Sequence, residues 1–120
     1  MLGIFNSISD SVFQLSVEND ERYRFTEANQ AFCKIIGLNQ SQVIGKMVNE
    51  FIVEPTLTRV LGKYKEAIMN GHLVRFEYER TGHWMVTYLH PILGDDGLVN
   101  RMAVYSHDVT ELKRMKGLME

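Results

Sequence analysis

The order of hydrophobic periods in this chain predicts an α+β domain, with helices packed on one face of a five-stranded antiparallel sheet. Two segments with alternating apolar residues come first, a cluster of helical patterns follows, and three more alternating segments close the domain. Thr81-Gly82 and Gly94-Asp95-Asp96-Gly97 separate the last three, as hairpin connections do. Composition agrees, since 120 residues with 45% hydrophobic and 23% charged residues suffice for one core and leave little room for a second.

The elements follow in order. Residues 2–9 carry Leu2, Ile4, Phe5 and Ile8, a short helical stripe suited to docking on the domain or on a second copy, and Ser9-Asp10-Ser11 interrupts it. Residues 12–17 and 22–25 predict two strands flanking the turn Glu18-Asn19-Asp20-Glu21. From Ala28 the period changes: Ala28, Ala31, Phe32, Ile35 and Ile36 share a helical face, Cys33 and Lys34 fall beside it, and Gly37 ends the helix. Asn39 with Gln42 predicts a capping box opening a short helix that Gly45 closes. Glu50-Phe51-Ile52 and Pro55 precede a longer helix over 56–69, with Leu57, Val60, Leu61, Tyr64, Ala67 and Ile68 on one side and Asn70-Gly71 at its end. Strands are expected over 73–80, 83–92 and 98–107.

At Asp108-Val109-Thr110-Glu111 the last strand meets a tail without β-branched residues or proline. Asp108 is placed to act as N-cap, with Glu111 answering as in a capping box. Leu112, Met115 and Met119 then form a stripe so narrow that it calls for a partner helix, so the chain is expected to be a piece of something longer.

Composition narrows the function classes. A net charge of −2 with scattered basic residues gives no electrostatic surface for nucleic acid or membrane. The apolar runs are too short to span a bilayer and the first residues lack a signal-peptide pattern, which predicts a cytoplasmic domain. The single cysteine, Cys33, agrees with a reducing compartment and excludes an intrachain disulfide. There is no nucleophile turn, phosphate loop or zinc-protease helix, and the adjacent Asp95 and Asp96 read as a solvated loop pair, so the domain is expected to be non-catalytic.

The element order, together with Asn29-Gln30-Ala31-Phe32 through Ile36-Gly37, Val43-Ile44-Gly45-Lys46, Gly82-His83-Trp84, Pro91-Ile92, Asp96-Gly97 and Asp108-Val109-Thr110-Glu111, closely resembles the PAS (Per-Arnt-Sim) sensor family over nearly the whole chain. The resemblance implies strand order 2-1-5-4-3, a small-molecule cavity between sheet and helices, and a regulatory module. It divides the chain into an N-terminal helical flank at 1–9, the sensor domain at 10–110 and the start of a C-terminal signalling helix at 111–120. Bacterial relatives drive a histidine kinase or diguanylate cyclase through that helix, which implies a covalently linked output domain. The cofactor stays open. Cys33 sits in no segment like that of the flavin-binding light sensors and reads as a small helix residue, and the helix over 56–69 lacks the axial histidine of haem-binding relatives, leaving only His72 in the turn beyond it. The sequence therefore argues against flavin and against haem.

Residues two apart on a strand share a face, so Met85, Thr87, Leu89, Met102, Val104 and Ser106 form one set and Trp84, Val86, Tyr88, His90, Ala103, Tyr105 and His107 the other. By the resemblance, Ser106 and its set face the cavity. They would suit a small, mostly apolar ligand, and are equally readable as core residues filled by their own neighbours. Trp84, Val86, Tyr88 and Tyr105 then form an apolar outer patch that calls for a cover, either the stripe with Ile4, Phe5 and Ile8 or a second subunit in a homodimer. In the third strand hydrophobicity turns Val74, Phe76 and Tyr78 inward and Arg75, Glu77 and Glu79 outward. Asp108, Thr110 and Glu111 make up the signal joint in a sensor of this kind. The competing reading is a ligand-free dimerisation and spacing module with a filled core.

Overall fold

The computed structural model of the chain describes residues 10–18, 22–80 and 82–119. The elements run β1 (Ser11–Glu18), β2 (Arg22–Ala28), α1 (Gln30–Ile36), α2 (Gln40–Val43), a 3-10 turn (Val48–Glu50), α3 (Thr56–Asn70), β3 (Val74–Arg80), β4 (His83–Leu93), β5 (Val99–Asp108) and α4 (Thr110–Met119). The five strands form one sheet in the order β2-β1-β5-β4-β3, and every neighbouring pair is antiparallel. The α+β class expected from the hydrophobic periods and the strand order implied by the family resemblance are therefore both present.

Alternation explains the inner face. Ser11, Phe13 and Leu15 on β1 are buried while the residues between them are half-buried, and Met102, Val104 and Ser106 on β5 repeat the pattern. On β3, Val74 and Phe76 are buried and Tyr78 packs against the core, so the aromatic side faces inward. The helices close this face with Cys33, Val43, Val60, Tyr64 and Ala67. Aromatic rings bridge the layers, Phe13 to Phe32 at 4.6 Å between centroids and Phe25 to Phe51 at 5.6 Å.

The first helix departs from the expected pattern. Ala28 ends β2, and α1 starts two residues later because Asn29 caps it, its Oδ1 accepting from the Phe32 N–H at 3.0 Å. Ala28, Phe32 and Ile36 keep the inward face read from the sequence, but Cys33, expected beside it, is buried as well, and Ile35 is 42% exposed at the rim of the cavity. At the other end Gly37 adopts φ 74°, the left-handed conformation that closes the helix. The Asn39 and Gln42 capping box is present at α2. Helix α3 gains a start signal not visible in the periodicity, the Glu54 carboxylate accepting from the Thr58 N–H at 2.8 Å.

Asn29 does more than cap. It is fully buried, its Oδ1 also accepts from the Val12 N–H at 3.1 Å, and its Nδ2 donates to the Asp10 carbonyl at 2.7 Å. One amide thus joins the start of β1, the end of β2 and the start of α1. Replacing it by alanine leaves three half-buried main-chain groups without that partner, so Asn29→Ala is expected to cost about 2–4 kcal/mol, from the cap and the unmade hydrogen bonds together. Urea denaturation of the variant and parent checks this, and a loss under about 1 kcal/mol would show the amide to be dispensable.

Candidate ligand cavity and the strand-to-helix joint

A cavity of about 370 Å³ lies between the inner face of the sheet and the helices. Its sheet wall carries Phe13, Phe76, Met85, Thr87, Val104 and Ser106, and its helical wall includes Phe32, Phe51, Val60 and Tyr64. Four of the six residues singled out from the sequence therefore border it: Met85, Thr87, Val104 and Ser106. Leu89 and Met102 are on the same face but fully buried in the core beyond the cavity lining. Ser11 borders it as well, a residue the sequence reading had assigned to the break before β1. Extending the β1 alternation back one step from Phe13 would have found it.

The polar groups here are few and paired. The Thr87 and Ser106 hydroxyls lie 2.9 Å apart and buried. Burial pushes the Tyr64 phenol well above its ordinary value, with Tyr78 and Tyr23 adding to the effect, so it stays neutral. Cys33 is buried, is not among the lining residues, and burial likewise raises its thiol. His72 is exposed on the turn after α3, its Nδ1 3.2 Å from the Leu73 carbonyl, and does not line the cavity. Among the described residues no cluster of His, Cys, Asp and Glu side chains is arranged to hold a metal ion.

At the end of β5 the joint is held from two strands. The Val109 N–H donates to the Trp84 carbonyl at 2.8 Å, and the Trp84 N–H donates to Thr110 Oγ1 at 2.8 Å. Asp108 Oδ1 accepts from the Thr110 N–H at 2.9 Å, while Oδ2 lies 2.8 Å from His83 Nδ1. The Thr110 hydrogen bonds hold the Asp108 carboxyl below its ordinary range, His83 adds to them, and partial burial opposes. The expected capping box is not how the joint closes: Asp108 serves the residue two further on, and the Glu111 carboxylate pairs with Arg114 at 2.9 Å. Its place is taken by the threonine hydroxyl, because Asp108 is still the last residue of β5, opposite Met85. One turn into α4, Lys113 Nζ lies 3.2 Å from Glu77 and 4.8 Å from the Trp84 ring centroid. On the far side, the Arg59 guanidinium of α3 donates to the Glu77 carbonyl at 2.5 Å.

The outer face is less bare than its composition suggests. Val86 is buried, with 6% of its surface exposed, whereas Trp84 is 39% exposed beneath Lys113. The Arg75 guanidinium sits 6.0 Å from the Tyr88 ring, and Tyr88 and Tyr105 pair at 6.0 Å. The Tyr105 hydroxyl donates to the Asp10 carboxylate, whose other oxygen lies 2.7 Å from His107 Nδ1. Burial works against ionised Asp10, yet the hydrogen bonds of Tyr105 and His107 outweigh it and lower its pKa. Ile4, Phe5 and Ile8, the expected cover for this face, lie outside the described residues.

A family model described as the PAS fold matches residues 5–114. No curated protein matches the chain. Among solved structures, the chain is similar to a domain of an HTR-like protein from Haloarcula marismortui at 16% identity and TM-score 0.71, covering 86% of this chain and 100% of that one. A PAS domain from Colwellia psychrerythraea is similar at 18% identity and TM-score 0.71, over 91% and 93% of the two chains. A sensory box sensor histidine kinase from Vibrio cholerae is similar at 16% identity and TM-score 0.72, over 90% and 88%. No helix among the described residues is long and apolar enough to cross a membrane.

The contact between Tyr105 and Asp10 has a pH signature. The carboxylate that accepts its hydrogen bond, with burial next, pushes the Tyr105 phenol from 10.0 up to about 12. Because the folded value lies above the unfolded one, the phenol's contribution to stability is complete below pH 10 and is lost as pH rises towards about 12. Tyr105→Phe is therefore expected to be less stable than the parent at pH 8 and to lose less stability between pH 10 and 12. Denaturant titrations across that range decide it, and parallel alkaline limbs for the two proteins would refute the linkage.

Proposed function

The chain belongs to the PAS fold family, and on that premise we propose that it is a regulatory sensor module that takes a small ligand in its cavity and passes the change to an output domain through α4. One observation carries this reading: both anchors of α4 are immediate neighbours of cavity-lining residues. Trp84 precedes Met85 on β4, and Glu77 sits between Phe76 and Tyr78 on β3. Adjacent residues of a strand face opposite sides of the sheet. A ligand that favours one twist of β3 and β4 at the inner face therefore shifts the Trp84 main chain and the Glu77 carboxylate at the outer one. The coupling requires different affinities for two arrangements of these strands, and the pair of anchors provides two contacts that can differ between them.

In this reading Asp108, Thr110 and Glu111 belong to the joint, and Trp84, Tyr88 and Tyr105 to a face available to a second copy in a homodimer. The likeness to a sensory box sensor histidine kinase supports a kinase as the output, with a diguanylate cyclase as the other candidate. The second reading, a spacing and dimerisation module without a ligand, is favoured by the fully buried Leu89 and Met102, which fill their part of the inner face with their own packing.

Extraction of the purified protein followed by mass spectrometry, with a thermal-shift screen of small metabolites, separates the two readings. A bound molecule or a saturable stabilisation supports the sensor, and neither would leave the spacing module. The route is tested separately by hydrogen exchange. Lys113→Ala is expected to raise exchange in the first turn of α4 several-fold while the amides of β4 and β5 keep their protection, and to remove any ligand-induced change in that turn. A ligand response in α4 that is the same in parent and variant would rule the Lys113 contact out as the route.

A further inference from the structure

The sheet register aligns three hydroxyls across the cavity wall. Ser11 on β1 is opposite Ser106 on β5, Ser106 is opposite Thr87 on β4, and Phe76 on β3 continues the row. All three hydroxyl residues are buried and line the cavity. Above and below them the wall is apolar, with Phe13, Met85 and Val104. Among the described residues the single charged side chain in the lining is Glu79, which is exposed.

This chemistry selects a ligand class. A buried carboxylate or phosphate needs a cation or several directed donors to replace its hydration, and the lining supplies no cation. A cationic ligand has only Glu79, at an exposed position away from the hydroxyl row. Hydroxyls both donate and accept, so a row of them answers an amide, carbonyl or hydroxyl equally well. Tyr64 adds a neutral phenol from the helical side, and the aromatic rings of Phe13, Phe32, Phe51 and Phe76 offer faces and edges to a flat apolar body. A volume of about 370 Å³ is near the lower end of the range, about 300–1,000 Å³, of small-molecule sites.

Resting on the sensor reading above, we infer that the cavity takes an uncharged, flat, largely aromatic molecule whose hydrogen-bonding end is read by the Ser11, Ser106 and Thr87 row. Ser11 ties that recognition to β1, so that the ligand bridges three strands and its polar end determines the register in which its apolar body meets β3 and α3.

Three probes of nearly one shape test it on the 120-residue chain: 2-naphthamide, 2-naphthoate and 2-methylnaphthalene, titrated at pH 7.5 and followed by amide and methyl NMR shifts. The neutral amide is expected to bind at least about tenfold more tightly than the carboxylate, which enters the cavity only at the cost of its charge. Ser11→Ala and Ser106→Ala, each checked for an unchanged circular dichroism spectrum, are expected to weaken the amide roughly three- to tenfold and to leave methylnaphthalene within about twofold. Naphthoate binding as tightly as the amide overturns the inference, as does an amide affinity indifferent to both serine substitutions; in either case methylnaphthalene binding would keep the cavity as a ligand site. Absence of binding by all three probes overturns the inference and the ligand-sensing reading together.

Discussion

Asn29 is a side chain on which much of the geometry depends. A primary amide has one acceptor oxygen and two N–H groups, and here they are spent on main-chain groups from separate parts of the chain, with the Val12 and Phe32 N–H groups on the oxygen and the Asp10 carbonyl on the nitrogen. The first consequence is the entry of α1, which brings Phe32 against Phe13 and builds one wall of the cavity. The second is the position of Asp10 at the head of β1, from which its carboxylate reaches Tyr105 and His107 near the end of β5. A buried polar network of this kind is costly when half made and rigid when complete, which is why one amide can hold a corner where three elements meet.

The opposite end of the sheet is built on weaker terms. Lys113 and Glu77 are both substantially exposed, and such a pair is worth little as a contribution to folding. An interaction comparable to thermal energy can, however, be made or lost without unfolding anything. The Trp84 main chain provides the firm part of the joint, through Val109 and Thr110, while Lys113 provides the adjustable part. In the proposed sensor, a rigid corner at Asn29 and a yielding contact at Lys113 would confine strand movement to the β3 and β4 side, where the cavity has its Phe76 and Met85 wall.

Much of this was legible in the sequence because strand alternation is a local code. It sorted the residues of β4 and β5 into two sets, of which the family resemblance chose the inner one, and with hydrophobicity it turned Val74, Phe76 and Tyr78 inward; helical periodicity in turn placed the helix over 56–69 within one residue of its observed end. Local codes fail where distant residues decide. The cap at Asn29 displaced the start of α1, and Cys33, expected beside the apolar stripe, is buried while Ile35 is left at the exposed rim of the cavity. Glu111 has the spacing of a capping box, yet Trp84, 26 residues before Thr110, takes the threonine hydroxyl that organises the turn. Asp10 meets His107 across 97 residues, and nothing in a composition window announces that. Within the cavity, the apolar walls were readable from period two, whereas the division between Met85, which lines it, and Leu89, which is buried beyond it, depends on how far the helices close over the sheet.

The cavity presents two kinds of wall, aromatic and aliphatic side chains on one hand and the Ser11, Ser106 and Thr87 hydroxyls on the other, and what fills it has to answer both. Water answers the hydroxyls, since buried water settles where two or more polar partners converge. It leaves Phe13, Phe32 and Phe76, however, without van der Waals partners. A molecule with a polar end and a flat apolar body satisfies both sets at once. The difference between those two fillings is the free energy from which a change at β3 and β4 would be drawn, and the anchors of α4 at Glu77 and Trp84 are each one residue away from where it is delivered.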